Sequence, residues 1–198
     1  MTSESPLRFG LVGTGHWARV THAPALAAAV GIELAAVWGR DAQKAARLAA
    51  DLGKRFPQDT VVQFDYLPMI RAAIALQSGN AERALEALAA SAPYEMGQTN
   101  SAFTFALYPV YLRGQAHLAA RNGAAAVSEF QKILDHAGVI GNQPIGALTR
   151  LGLGRAYALS GDTTKAKTAY QDFLSLWNNA DPDILILKQA KTEYAKLH

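Results

Sequence analysis

The chain has 198 residues, half of them hydrophobic, a formal net charge of +3 and no cysteine. That length and apolar fraction suffice for one or two buried cores, which excludes a disordered chain. The lack of thiols excludes disulfides, thiolate metal sites and cysteine nucleophiles and fits a reducing compartment. Nineteen Lys and Arg lie scattered among sixteen Asp and Glu instead of forming a stripe, which argues against nucleic acid as a partner. The polar, acidic opening Met1 to Pro6 and the short apolar run Phe9 to Val12 fit neither a signal sequence nor a membrane span, so the expectation is a cytoplasmic protein with no membrane partner.

In chain order, the first element is a predicted strand, Leu7-Arg8-Phe9-Gly10-Leu11-Val12. A glycine turn, Gly13-Thr14-Gly15-His16-Trp17-Ala18, an alanine-rich helix and a second apolar run, Ile32 to Trp38, follow. Residues 1–40 therefore read as one strand-helix-strand unit. A G-x-G-x-x-G/A pattern between a strand and a helix has a physical use. The first glycine permits the tight turn, the second lets a pyrophosphate approach backbone N–H groups at the positive helix end, and the small residue lets helix pack on strand.

With His22-Ala23-Pro24-Ala25-Leu26 and Ala36-Val37-Trp38-Gly39-Arg40-Asp41, this stretch resembles the start of the glucose-fructose oxidoreductase and inositol dehydrogenase family over about residues 7–53. The resemblance implies a truncated Rossmann-like β-α-β fragment. It also implies cofactor contacts at Gly13, Gly15, His16, Trp17 and Arg40, where Arg40 would suit the 2′-phosphate of NADP ahead of NAD. The family's remaining strands, its Glu-Lys-Pro segment with the catalytic lysine and its substrate domain have no counterpart, so no oxidoreductase activity is carried over. No cofactor is the first expectation, with NADP or NAD as the alternative. A two-stranded parallel pair also leaves an unpaired edge, through which a homodimer would form.

After Asp41 every segment carries helical spacing, punctuated by turn signals at Gly53, Gly79-Asn80, Gly97 to Asn100, Asn122-Gly123, Gly138 to Pro144, Gly161-Asp162 and Asn178 to Pro182. The helices recur in pairs. Arg113-Gly114-Gln115-Ala116-His117 matches Leu153-Gly154-Arg155-Ala156-Tyr157, and Ala126, Phe130 and Ile133 match Ala166, Tyr170 and Phe173. An earlier copy sets Gly79, Ala84 and Leu88 in the relation of Gly161, Ala166 and Tyr170. Small residues recur where two helices approach and large ones where a side chain fills the space between pairs.

These units, Val61 to Ala92, Tyr108 to His136 and Ile145 to Trp177, resemble the tetratricopeptide repeat, the last of them best. The spacing between copies exceeds the usual period of about 34 residues. Lys54 to Phe64, Phe130 to His136 and Asp181 to Ile184 further resemble the repeat region C-terminal to certain bacterial serine/threonine protein kinases, whose kinase motifs are lacking here. The expected fold is therefore mainly α: a tetratricopeptide-like helical solenoid over 41–198, closed by a capping helix at 184–197, behind the β-α-β fragment of 1–40. The helix from Asp41 to Lys54 matches both parents, since Asp41, Lys44 and Ala45 align with Asp162, Lys165 and Ala166, and the chain reads as a composite joined there.

On the first helices of successive repeats, Tyr66, Tyr108, Tyr111, Gln115 and Arg155 occupy positions that in such solenoids line the ligand face, and aromatic and Arg residues suit binding hot spots. Each tyrosine reads equally as core, and Pro68 and Pro109 either begin those helices or kink them. His16, His22, His117 and His136 stand without a carboxylate at ligand spacing and read as packing residues. With no catalytic constellation, the expected function is a non-catalytic module that binds a protein or peptide. The alternative is an NAD(P)-binding oxidoreductase fragment.

Overall fold

A computed structural model describes residues 7–12, 32–38, 42–97, 107–141 and 143–197. The chain divides into two compact units, Met1–Pro57 and Gln58–His198. In the first, β1 (Leu7–Val12) and β2 (Ile32–Trp38) form a two-stranded parallel pair that sets Leu7 opposite Ile32 and Val12 opposite Trp38, with an irregularity between Phe9 and Gly10. Gly13, Gly15, His16, Trp17, His22 and Arg40 lie outside the described residues. α1 (Ala42–Arg55) buries Ala45 and Ala49.

The division between the compact units falls after Pro57. α1 runs unbroken to Arg55, Pro57 cannot continue a helix, and Asp59 opens the next one by accepting the Val62 N–H at 2.9 Å.

The described residues are mainly helical, and those of the second unit hold no strand. A π-helical turn, Val62–Tyr66, leads into α2 (Leu67–Gln77), followed by α3 (Ala81–Leu88) and a 3₁₀ turn, Ala89–Ser91. Next come α4 (Tyr108–Ala119) and α5 (Gly123–Asp135), a short α6 (Ala137–Ile140), α7 (Ile145–Leu159), α8 (Thr163–Leu176) and α9 (Leu185–Ala195). Pro109 is the second residue of α4, where a missing N–H costs nothing and φ is already helical, so it begins that helix. Pro68 follows the π-helical turn without a break in the helical run, and the irregular turn stands where its missing N–H interrupts the regular ladder.

Three hairpins, α2/α3, α4/α5 and α7/α8, close with the same turn. A left-handed residue follows the first helix: Gly79 at φ 74°, Arg121 at 57° and Gly161 at 82°. The amide of the next residue reaches back to the first helix, Asn80 to the Ala75 carbonyl at 2.9 Å, Asn122 to His117 at 2.8 Å and Asp162 to Tyr157 at 2.9 Å. These are Schellman closures, which satisfy the last carbonyls of the helix. The same Asn80, Asn122 and Asp162 then cap the second helix, each accepting the N–H three residues on, from Arg83, Ala125 and Lys165. One short turn thus ends one helix and starts the next.

Sixteen residues separate the small and large partners inside each hairpin: Ala72 and Leu88, Gly114 and Phe130, Gly154 and Tyr170. Ala72, Leu88 and Phe130 are fully buried, and Tyr170 nearly so. A Cβ placed on Gly114 would lie 2.5 Å from the Phe130 ring, and one on Gly154 2.7 Å from the Tyr170 ring. Glycine is what permits these approaches. Phe130 also faces the next hairpin, where a Cβ on Gly152 would stand 2.6 Å from its ring.

Each second helix packs on the following first helix, α3 on α4 and α5 on α7, while α2, α4 and α7 touch in succession. At the far end α8 packs on α9, with Leu187 and Ala190 of α9 joining Leu151, Tyr170 and Phe173 in one cluster.

Candidate functional site

The first helices bring most of the predicted partner-binding residues to repeat-equivalent positions. Ala84 recurs as Ala126 after 42 residues and as Ala166 after 40 more. In the same register Tyr66 corresponds to Tyr108, and Gln115 to Arg155. Tyr111 lies one turn from both Tyr108 and Gln115 on α4. Tyr111 and Tyr108 are half-buried, and burial pushes both phenols above their ordinary pKa. The Tyr111 ring lies 5.8 Å from that of Phe130. The ring therefore packs against the core of the middle hairpin.

Arg155 is engaged inside the chain. Its Nε and Nη2 donate to Glu193 Oε2 and Oε1 at 2.8 and 2.9 Å, and the Tyr170 hydroxyl donates to Glu193 Oε2 at 2.9 Å. Burial opposes the Arg155 charge, but the bidentate pairing with Glu193 outweighs it and holds the guanidinium above its ordinary pKa. Tyr170 is raised more strongly, by burial first and then by its bond to the carboxylate. Tyr66 stands in the π-helical turn just before α2. Its phenol is raised by burial and by the neighbouring Asp65 and Asp59. Beside it Asp65 is pushed up to about 6 by burial.

A second polar group went unread in the sequence. Glu95, in the turn after the 3₁₀ segment, has a side chain only 2 % exposed. Arg113 Nη2 of α4 approaches it to 2.7 Å, Lys132 of α5 pairs with its other oxygen, and Arg113 also reaches Glu129 at 2.9 Å. Burial opposes the Arg113 charge, and bonds to Glu129 and Glu95 more than restore it. The network ties the connection leaving the first hairpin to both helices of the second, a structural role. Only the long-range partners of Glu95 distinguish it from an ordinary turn residue, and no local sequence signal marks them.

Among the described residues no group of His, Asp and Glu is arranged to hold a metal ion, and no helix is long and apolar enough to cross a membrane. Comparison with protein-family models, curated proteins and solved structures found no match. The chemistry of the face is therefore read from its own residues: phenols, an amide and a paired guanidinium.

Proposed function

We propose that the unit Gln58–His198 is a non-catalytic protein-binding module, a short solenoid resembling tetratricopeptide repeats, that holds a peptide or helix against the face formed by α2, α4 and α7. The observation that carries this reading is the repeat register of the face. Tyr66, in the turn before α2, and Tyr108 fall at equivalent positions, as do Gln115 and Arg155, so side chains able to hydrogen-bond recur in register along the array. Tyrosine and arginine provide large contact area and directional hydrogen bonds, and a ligand laid along such a row would follow the helix-in-groove mode or its extended counterpart.

Selection of a displayed random peptide library on the immobilised full chain tests this. A consensus peptide should emerge whose affinity falls at least about tenfold in Tyr108→Ala and Gln115→Ala chains, the loss of roughly 1.4 kcal/mol expected of an anchoring contact. Selected peptides that bind both variants as well as the unaltered chain would overturn the reading.

The parallel pairing of β1 and β2, with Val12 opposite Trp38, favours a second reading for the unit Met1–Pro57. We infer that it is a dinucleotide-binding fragment resembling the opening of the glucose-fructose oxidoreductase family, with Gly13 and Gly15 approached by a pyrophosphate. Fluorescence titration with NADPH and NADH should saturate in the unaltered chain and not in Gly15→Asp. Equal signals from both would remove this reading.

A further inference from the structure

The junction between α8 and α9 differs in chemistry from the one inside the repeat array. Where α5 meets α7 the contact centres on an apolar ring, Phe130, which Gly114 of α4 and Gly152 of α7 approach from two sides. At the equivalent place in the last hairpin stand Tyr170, for Phe130, and Arg155, for Gln115, and three donors converge on one carboxylate. These are Arg155 Nε and Nη2 and the Tyr170 hydroxyl, all within 2.9 Å of Glu193. Around them Leu151 and Phe173 form an apolar floor that receives Leu187 and Ala190.

The Tyr170 ring is fixed from beneath by Gly154, a contact made within the α7/α8 hairpin and independent of α9. The Arg155 and Glu193 side chains are 27 % and 33 % exposed, leaving a path for a competing carboxylate. Interfaces that open and close are the more polar ones, and a buried guanidinium and phenol left without an acceptor are costly.

We propose that this seat, built by Arg155, Tyr170, Leu151 and Phe173, is a recognition site for an amphipathic helix bearing a carboxylate, and that α9 occupies it in cis as an internal competitor. The ligand helix presents small or apolar residues at two positions three apart and an acidic residue three further on, as Leu187, Ala190 and Glu193 do. The inference rests on the reading of the helical unit as a binding module, and it extends that reading to an acidic helix at one end of the array.

The test uses the full chain and a fluorescein-labelled synthetic peptide with the sequence of residues 181–198, followed by fluorescence polarisation. A Glu193→Ala chain, whose own α9 is loosened, should bind the peptide at least about tenfold more tightly than the unaltered chain, because the competent fraction of seats rises. A peptide with Gln in place of its Glu should lose that gain, and adding Arg155→Gln to the chain should abolish binding. If Glu193→Ala does not fold, Leu187→Ala loosens α9 from its apolar side and the same two peptides decide. Equal affinity of the loosened and unaltered chains, or of the Glu and Gln peptides, overturns the proposal. A Tyr108→Ala chain should bind the 181–198 peptide unchanged. Loss of peptides selected on the α2/α4/α7 face is thereby separated from loss at the seat.

Discussion

Gly114→Ala isolates the close approach on which the middle hairpin depends. The new methyl would sit 2.5, 2.7 and 2.9 Å from three carbons of the Phe130 ring. The ring cannot retreat, because it is fully buried and Gly152 confines it from the other side at 2.6 to 2.8 Å by the same measure. Overpacking of this kind costs about 1–3 kcal/mol. Alanine returns about 0.5–1 kcal/mol of helix preference over glycine, so the net destabilisation lies between about 0 and 2.5 kcal/mol, centred near about 1 kcal/mol, a fall of about 3 °C in melting temperature for a unit of this size.

Thermal and urea unfolding followed by circular dichroism measure it. Phe130→Leu supplies the control, since the double variant recreates the pairing of Ala72 with Leu88 that the first hairpin already uses. Phe130→Leu alone removes buried apolar area and should destabilise by about 1 kcal/mol or more. The double variant should be less damaged than the two singles combined, by about 1 kcal/mol of coupling. A Gly114→Ala chain more stable than the parent, or strict additivity, would refute the assignment of this contact.

Glu95→Gln leaves Arg113 and Lys132 facing a neutral amide. Because Glu129 still holds Arg113, the loss should be about 2–3 kcal/mol by urea unfolding, below that of a fully stranded buried charge. Gly161→Ala should cost about 1 kcal/mol although nothing stands within 4 Å of its new Cβ, since the whole penalty lies in a φ of 82°. Asp65, raised to about 6 in the folded chain, binds its proton more tightly there than when unfolded. Its contribution is thus fully present below the unfolded carboxylate range and is lost as pH rises through about 6. Asp65→Asn should raise the urea midpoint at pH 8, leave it nearly unchanged at pH 4, and flatten the stability profile between.

What the sequence discloses about this chain is what repeats in it. The offset of sixteen between Gly114 and Phe130 and between Gly154 and Tyr170, and the Asn or Asp before each second helix, are local signals carried three times, and they locate the hairpins before any coordinate is known. Glu95 and Glu193 are the contrary case. Each takes its place from a partner 37 or 38 residues away, Lys132 for one and Arg155 for the other, and nothing in the flanking residues records such a pairing. The junction at α1 is ambiguous in the sequence for a related reason. α1 has the small-residue spacing of a repeat's second helix, at Ala45 and Ala49, so its pattern alone does not say which unit it completes.

The recurrence of 42 and then 40 residues exceeds the tetratricopeptide period of about 34, and the surplus lies between hairpins, since the turns within them share one short closure. The described residues of these connections pack on the hairpins they lead into. Glu95 returns from the first to Arg113 and Lys132, and Ile140, at the end of α6, is buried in the second with Ile145 beneath it in the same cluster. Glu95 and Ile140 thereby tie the described ends of the two connections to the helices that follow. On the proposed binding reading, a ligand that contacts Tyr108, Tyr111 and Gln115 meets a helix that Glu95 helps to hold through Arg113.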